Sequence, residues 1–245
     1  MNNENLFQGA IALVTGANKG IGFETARGLG VKGIVVLIGA RDESRGQAAA
    51  GKLKAEGIDA RAIQLDVTSQ DSIARAAGKI QQEFGRLDVL VNNAGIAEWG
   101  SPSEIDLAKV REVYETNVFG PMAVIKTMLP LLRQSPRGRI VNVSSHLGSL
   151  ALAADPSSPM SKFLALGYCT SKSALNSLTL QFANELRQTP IKVNAICPGY
   201  CATDLNNNSG PRSAAQGAVA AVRYATLADD GPTGGFFDED GVVGW

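Results

Sequence analysis

Thr15-Gly16-Ala17-Asn18-Lys19-Gly20-Ile21-Gly22 is the stretch that decides the fold. It joins an apolar run, Ile11–Thr15, to a helical pattern over Ile21–Gly30. Gly16 permits a tight turn, Gly20 lets backbone approach a pyrophosphate, and Gly22 allows close packing of helix on strand. A helix that starts at such a turn presents free N–H groups and the positive end of its dipole to an anion. The same alternation continues outward. Strands are expected at Ile34–Ile38, Ala60–Leu65, Val89–Asn92, Arg139–Val143, Ile191–Ile196 and Gly235–Phe237. Helices are expected near Glu43–Ala55, Ser69–Phe84, Ile105–Leu132, Tyr168–Leu186 and Ala214–Leu227. This reads as an α/β doubly wound (Rossmann) parallel sheet of about seven strands, helices on both faces, in one domain over residues 10–245. The irregular stretches are Leu147–Leu166, with Pro156 and Pro159, and Asn206–Pro211; long irregular connections of this kind often cover a site.

The composition sets limits. Of 245 residues, 44% are hydrophobic and 19% charged, and 23 cations balance 23 acids. A neutral chain offers no basic stripe for nucleic acid. No stretch is long and apolar enough for a membrane span, and the N-terminus lacks the pattern of a secretory signal. Three cysteines (Cys169, Cys197, Cys201) form no paired framework, which fits a reducing, cytoplasmic setting. A single histidine leaves little for zinc, so no metal is expected. Residues 1–9 are set apart as a disordered extension: Glu4–Gly9 either resemble a protease-cleavage tag lacking one aromatic residue or are native.

The glycine spacing, Thr-Gly-x-x-x-Gly-Ile-Gly, resembles the short-chain dehydrogenase/reductase family, and further matches recur along the chain. An acid about twenty residues past the glycines would favour NAD, a cation there NADP. Arg41 occupies that place and Lys19 lies in the turn, a pairing that suits the 2′-phosphate of NADPH/NADP+. Asp42 would favour NAD if the strand ended one residue later. Asp66-Val67 and Asn92-Asn93-Ala94-Gly95 follow the third and fourth strands. The resemblance implies that Asp66 contacts adenine and that the Asn93, Ala94 and Gly95 segment lines the cofactor. Simple turn formation is the other reading of the two asparagines. It also implies that Pro198-Gly199 and Thr203 hold the nicotinamide carboxamide. Gly16, Asn18, Lys19, Gly20, Ile21 and Gly22 complete the expected cofactor site, with Tyr168 and Lys172 at its reactive end.

Tyr168 and Lys172 stand four residues apart, so phenol and ammonium share one helix face. Lowering a tyrosine by two to three units requires about 3–4 kcal/mol in favour of phenolate. A unit charge at about 4 Å supplies roughly that at an effective dielectric of 20. Ser144-Ser145 ends the fifth strand, where a hydroxyl can stabilise a developing alkoxide; the resemblance selects Ser145 and leaves Ser144 to a cap or turn. Asn117 lies four residues before Pro121, which has no N–H, so its carbonyl loses its helical partner and a kink is expected. The resemblance gives Asn117 a water-holding role beside Lys172. His146 adjoins Ser145, but neighbours on a strand point to opposite faces, so it is placed in the pocket wall or in the structure.

The long interval between Ser145 and Tyr168, the Arg41-Asp42 ending and the Gly234-Gly235-Phe236-Phe237 tail resemble the carbonyl-reductase branch. That implies NADPH-dependent reduction of a small-molecule ketone or aldehyde, with Tyr168 as general acid, by a monomer or homodimer. Trp99, His146, Leu147, Phe163 and Tyr200 are the expected substrate pocket. An NAD-linked alcohol dehydrogenase and a non-catalytic NADPH-binding redox sensor are the alternatives.

Overall fold

Along Ile11–Thr15, Ala12 and Val14 join one apolar cluster while Ile11 and Leu13 join another, and both pairs are buried. A strand apolar on both sides requires cover on both sides. The computed structural model, which describes residues 6–245, supplies it. Strands β1 (Ile11–Thr15), β2 (Val35–Ala40), β3 (Ala60–Gln64), β4 (Val89–Asn92), β5 (Arg139–Val143), β6 (Lys192–Ile196) and β7 (Phe236–Phe237) form one parallel sheet. Its order is β3-β2-β1-β4-β5-β6-β7.

Helices α1 (Gly20–Gly30), α2 (Glu43–Ala55) and α8 (Ala214–Ala225) cover one face through Leu29, Leu53 and Tyr224. Helices α3 (Gln70–Phe84), α5 (Gly120–Leu132) and α7 (Leu166–Glu185) cover the other through Ile73, Ile125 and Leu175. Strand order reverses between β1 and β4, so the loops leaving their carboxyl ends part and open a crevice there, the usual ligand position in such sheets. No helix among the described residues is long and apolar enough to cross a membrane.

Two expectations need correction. The single helix over Ile105–Leu132 is instead α4 (Leu107–Tyr114), a π-helical turn at Glu115–Phe119, and α5. Pro121 supplies no N–H, and the Gly120 N–H reaches five residues back to the Glu115 carbonyl, which takes up one residue as a bulge rather than a plain kink. The stretch over Leu147–Leu166 is not wholly irregular: it holds the short helix α6 (Leu150–Ala154) and a 3₁₀ turn at Pro159–Lys162. It is tied down by Ser149 Oγ donating to the Gly244 carbonyl (2.7 Å) and the Ala151 N–H donating to that of Trp245 (2.8 Å).

Residues 1–5 of the expected extension lie outside the described residues. Residues 6–9 pack on the domain rather than hanging free of it. Phe7 is buried, with the Arg139 guanidinium 5.6 Å from its ring centroid, and the Gly9 N–H donates to the Gly33 carbonyl (2.9 Å).

At the amino ends of the strands, away from the crevice, Asp88 joins three segments. Its Oδ2 accepts from the Ile11 N–H (2.8 Å) and Arg86 Nε (3.1 Å), and its Oδ1 accepts from Ser135 Oγ (2.6 Å). Removing the carboxylate leaves a buried N–H and a buried hydroxyl without partners. Asp88→Ala should therefore lower the unfolding free energy by about 3 kcal/mol, read from the urea midpoint.

Candidate active site

The glycine turn builds an open cradle. Gly16 (φ +64°) lies so close to Ala94 that an added Cβ would sit 2.9 Å from its Cα, so β1 and the segment after β4 meet backbone to backbone. Thr15 Oγ1 accepts from the Asn93 and Ala94 N–H groups (both 3.0 Å), and Asn93 Nδ2 donates to the Thr15 carbonyl (2.9 Å). Gly20 (φ +58°) faces open space: an added Cβ would meet only Thr203 Cγ2, at 3.8 Å. α2, α3, α4 and α8 are each capped by a side chain, whereas α1, like α5 and α7, is not. Its first N–H groups are thus free to meet an anion lying between Gly20 and Thr203.

The discriminating residue follows from where β2 stops. β2 ends at Ala40, leaving Arg41 exposed and without an ion-pair partner among the described residues. Asp42 is occupied as the N-cap of α2. Its Oδ1 accepts from the Arg45 N–H (3.0 Å) and Ser44 Oγ (2.8 Å), which together hold its carboxyl below the usual aspartate range. Lys19 does carry a partner, Asp204, across the groove. Asp66 sits in a local turn, accepting from the Thr68 N–H (3.0 Å) and hydroxyl (2.7 Å), and Val67 beside it is buried. The two asparagines act mainly as joints: Asn92 Nδ2 donates to Asn142 Oδ1 (2.9 Å), and the Asn93 amide is taken up by the turn before α1.

The four expected catalytic residues converge. Tyr168 and Lys172 lie on the buried face of α7, and Lys172 Nζ donates to the Val143 carbonyl at the end of β5 (2.8 Å). Ser145, two residues beyond Val143, caps the 3₁₀ turn His146–Gly148, its Oγ accepting from the Leu147 N–H (3.2 Å). Ser144 is not the cap expected; its hydroxyl donates to Asn176 Oδ1 (2.6 Å) and is fully buried. Asn117, in the π turn, is clamped by its side chain: Oδ1 accepts from the Ile96 N–H (2.9 Å), and Nδ2 donates to the Ile96 carbonyl (2.8 Å) and Ser171 Oγ (3.1 Å). A Cβ built on Gly95 would lie 3.3 Å from Asn117 Oδ1 and 3.6 Å from Lys172 Nζ, so the two groups border one space.

Burial governs the titration of this cluster. It pushes the Tyr168 hydroxyl well above the ordinary tyrosine range, and hydrogen bonding by the Ser145 hydroxyl offsets only part of that. The expected pull of Lys172 on the phenol is not found in the chain alone. Its ammonium is aimed at Val143, stands 5.6 Å from the phenol ring centroid, and is itself lowered by burial from 10.5 to about 8.

Beyond β6, Pro198 and Gly199 (φ +75°) open the loop that carries Thr203. The Gly199 and His146 N–H groups both donate to Cys197 Sγ (3.4 and 3.1 Å). The His146 ring pairs with Asp238 (Nε2 to Oδ2, 3.0 Å), a small cavity of about 60 Å³ lying beside them, so its role is to join β5 to the segment after β7. Several contributors were not foreseen: Thr15, the Val143 carbonyl, Asp204, Asp238 and Gly148. An added Cβ on Gly148 would lie 2.6 Å from that of Lys172, so α7 can approach the turn after β5 only with glycine there. The glycine and the helix were both visible in the sequence; their contact was not.

The chain matches the family model described as short chain dehydrogenase over residues 10–214. It is similar to "Short-chain dehydrogenase anuI" of Penicillium roqueforti, 39% identical over 222 residues and covering 88% of each chain. It is 36% identical over 277 residues to "Carbonyl reductase [NADPH] 1" of Sus scrofa, covering 96% of this chain and 94% of that protein. The solved structure of an NADPH-bound carbonyl reductase from chicken fatty liver superposes with a TM-score of 0.84 at 27% identity, covering 97% of this chain and 100% of that one.

A cation whose folded pKa falls below its unfolded value destabilises the fold while charged. The effect is complete below about 8 and vanishes as pH rises to 10.5. The gap between those values corresponds to about 3 kcal/mol. Lys172→Met should thus be more stable than the natural chain at pH 7 by up to about 3 kcal/mol, and its advantage should shrink between pH 8 and 10.5 in urea titrations.

Proposed function

The chain belongs to the short-chain dehydrogenase family, and from that premise we propose that it reduces ketone or aldehyde carbonyls to alcohols with NADPH, Tyr168 being the general acid. The observation that carries the reading is the convergence of Ser145, Tyr168, Lys172 and Asn117 at the carboxyl ends of the strands, beside an uncapped helix α1. Pure binding of a dinucleotide requires no such set, which counts against a redox sensor. Similarity to carbonyl reductases over nearly the whole chain supports the same conclusion.

The cradle fits the dinucleotide. Free N–H groups of α1 and the space between Gly20 and Thr203 would take the pyrophosphate, with Asn18 and Ile21 of the same turn beside it. Exposed Arg41, with Asp42 withdrawn into a helix cap, favours a 2′-phosphate over a free ribose hydroxyl, and Lys19 adds a second cation once it leaves Asp204. Asp66, Val67, Ala94 and Gly95 would line the adenine and ribose side, and Pro198, Gly199 and Thr203 would hold the carboxamide end.

When bound, the cofactor supplies the hydride that the carbonyl carbon accepts. The protein's part concerns the oxygen and its proton. Ser145 Oγ donates to the carbonyl oxygen and stabilises the charge that develops there. Tyr168, kept protonated at neutral pH by burial, is in the state a donor requires, and its proton passes to the same oxygen. Lys172 has N–H groups beyond the one given to Val143; these would hold the cofactor ribose and feed a proton back toward the phenol. Asn117, locked by Ile96 and Ser171, holds the far side of that space for a water.

Tyr168→Phe should lower kcat for NADPH-linked ketone reduction by at least about 10³-fold, while NADPH binding, followed by fluorescence titration, stays within about twofold. Retained turnover would contradict the assignment. Arg41→Asp should raise the Michaelis constant for NADPH at least tenfold more than that for NADH, a difference of about 1.4 kcal/mol; equal changes would defeat the assignment of Arg41 as the discriminating residue.

A further inference from the structure

Trp99 lies outside the four-residue set but touches it. Its ring centroid is 5.4 Å from that of Tyr168, with the planes tilted by 40°, a favourable aromatic geometry. Tyr168 is buried at 7% exposure, yet Trp99 keeps 46% of its surface open to water. The indole thus borders the buried phenol while nearly half of its surface stays exposed. A paired β-bridge between Gly100 and Ala165 sets this segment beside the stretch preceding α7, where Phe163 and Leu164 are also exposed. The acid nearest in sequence, Glu98, is already paired with Lys109 (3.5 Å). Exposed aromatic and aliphatic side chains gathered beside reactive groups form a surface for an apolar ligand rather than an arrangement water favours.

We propose that Trp99 is the specificity-determining wall of the site: the preferred substrate is a flat aromatic or conjugated-ring ketone that stacks on the indole and brings its carbonyl to the Tyr168 hydroxyl. A stacked ring gains the dispersion and quadrupole attraction of an aromatic pair and removes apolar surface from water on both partners. A small aliphatic ketone reaches the same hydroxyl but gains little from the wall. This rests on the carbonyl-reductase reading, and the test separates the two.

Rates with NADPH are compared for 2-tetralone and butanone. Trp99→Ala should lower kcat/KM for tetralone at least tenfold more than for butanone, mostly through KM, and Trp99→Phe should hold the ratio of the two within about threefold of the natural chain. Equal losses for both ketones would make Trp99 a mere prop for Tyr168 and overturn the proposal. A second measurement does not depend on turnover. The chain has two tryptophans, so in Trp245→Phe the emission reports Trp99. Tetralone added with NADP+ should quench it, and butanone should not. If no ketone is reduced although NADPH binds, the carbonyl-reductase reading fails while the quenching result still decides the fate of the wall. Absence of quenching by tetralone sinks the wall alone.

Discussion

An ammonium group buried, among the described residues, without a carboxylate partner is the constraint around which this site is arranged. Lys172 is 5% exposed, and the partner recorded for Nζ is the main-chain oxygen of Val143. A charge in that setting is costly unless its remaining N–H groups find acceptors, so the protein holds a standing demand for them. The crevice is where such acceptors arrive. The surrounding geometry keeps the demand unmet from within: Gly148 admits α7 close to β5, and Asn117 Oδ1, the nearby candidate, is committed to the Ile96 N–H. Stability is thereby given up locally for a cation poised beside a phenol, as is common where binding and catalysis require unsatisfied groups.

The two ends of the sheet divide the labour. At the amino ends, Asp88 draws β1, the loop before β4 and the turn after α5 together, and the buried Arg139 guanidinium donates to the Leu227, Gly138 and Pro190 carbonyls. These groups are satisfied and fixed. At the carboxyl ends, the backbone is turned outward by Gly16, Gly20 and Gly199, each with positive φ, and the hydrogen bonds that remain join one loop to the next. Thr15 to Asn93 and Ala94, and Cys197 to His146 and Gly199, are such joints. Rigid sheet below and jointed loops above are what allow a site to be positioned within tenths of an ångström without being closed to a ligand.

Much of this could be read from the chain because it rests on periodicity and on glycine. Strands β1, β4 and β5 fall at the bounds their apolar runs imply, and the turn after β1 follows from three glycines at fixed spacing. That Tyr168 and Lys172 share one face of α7 was legible because four residues make about one helical turn. Other features depend on atoms far apart in sequence. Nothing near residue 172 announces that its partner would be the Val143 carbonyl, and nothing near His146 points to Asp238, 92 residues away. Ser144 and Ser145 are chemically alike, and only the direction of the chain after β5 separates a serine facing α7 from one facing the crevice. The depressed phenol expected from a nearby cation failed for a related reason: charge was counted, but burial was not.

The π turn at Glu115–Phe119 has a consequence for how this helix can change over time. A helix carrying one surplus residue is out of phase with itself: side chains before and after the bulge are offset by roughly a quarter turn compared with an unbroken spiral. Deleting any one residue there would let the ladder close into a smoother rod, and would also swing Asn117 away from Ile96 and Ser171. Substitutions in this region alter one contact at a time, whereas a loss or gain of a single codon would reset the whole azimuth of the segment. The bulge therefore ties the placement of Asn117 to the residue count of this segment as well as to the identity of its residues.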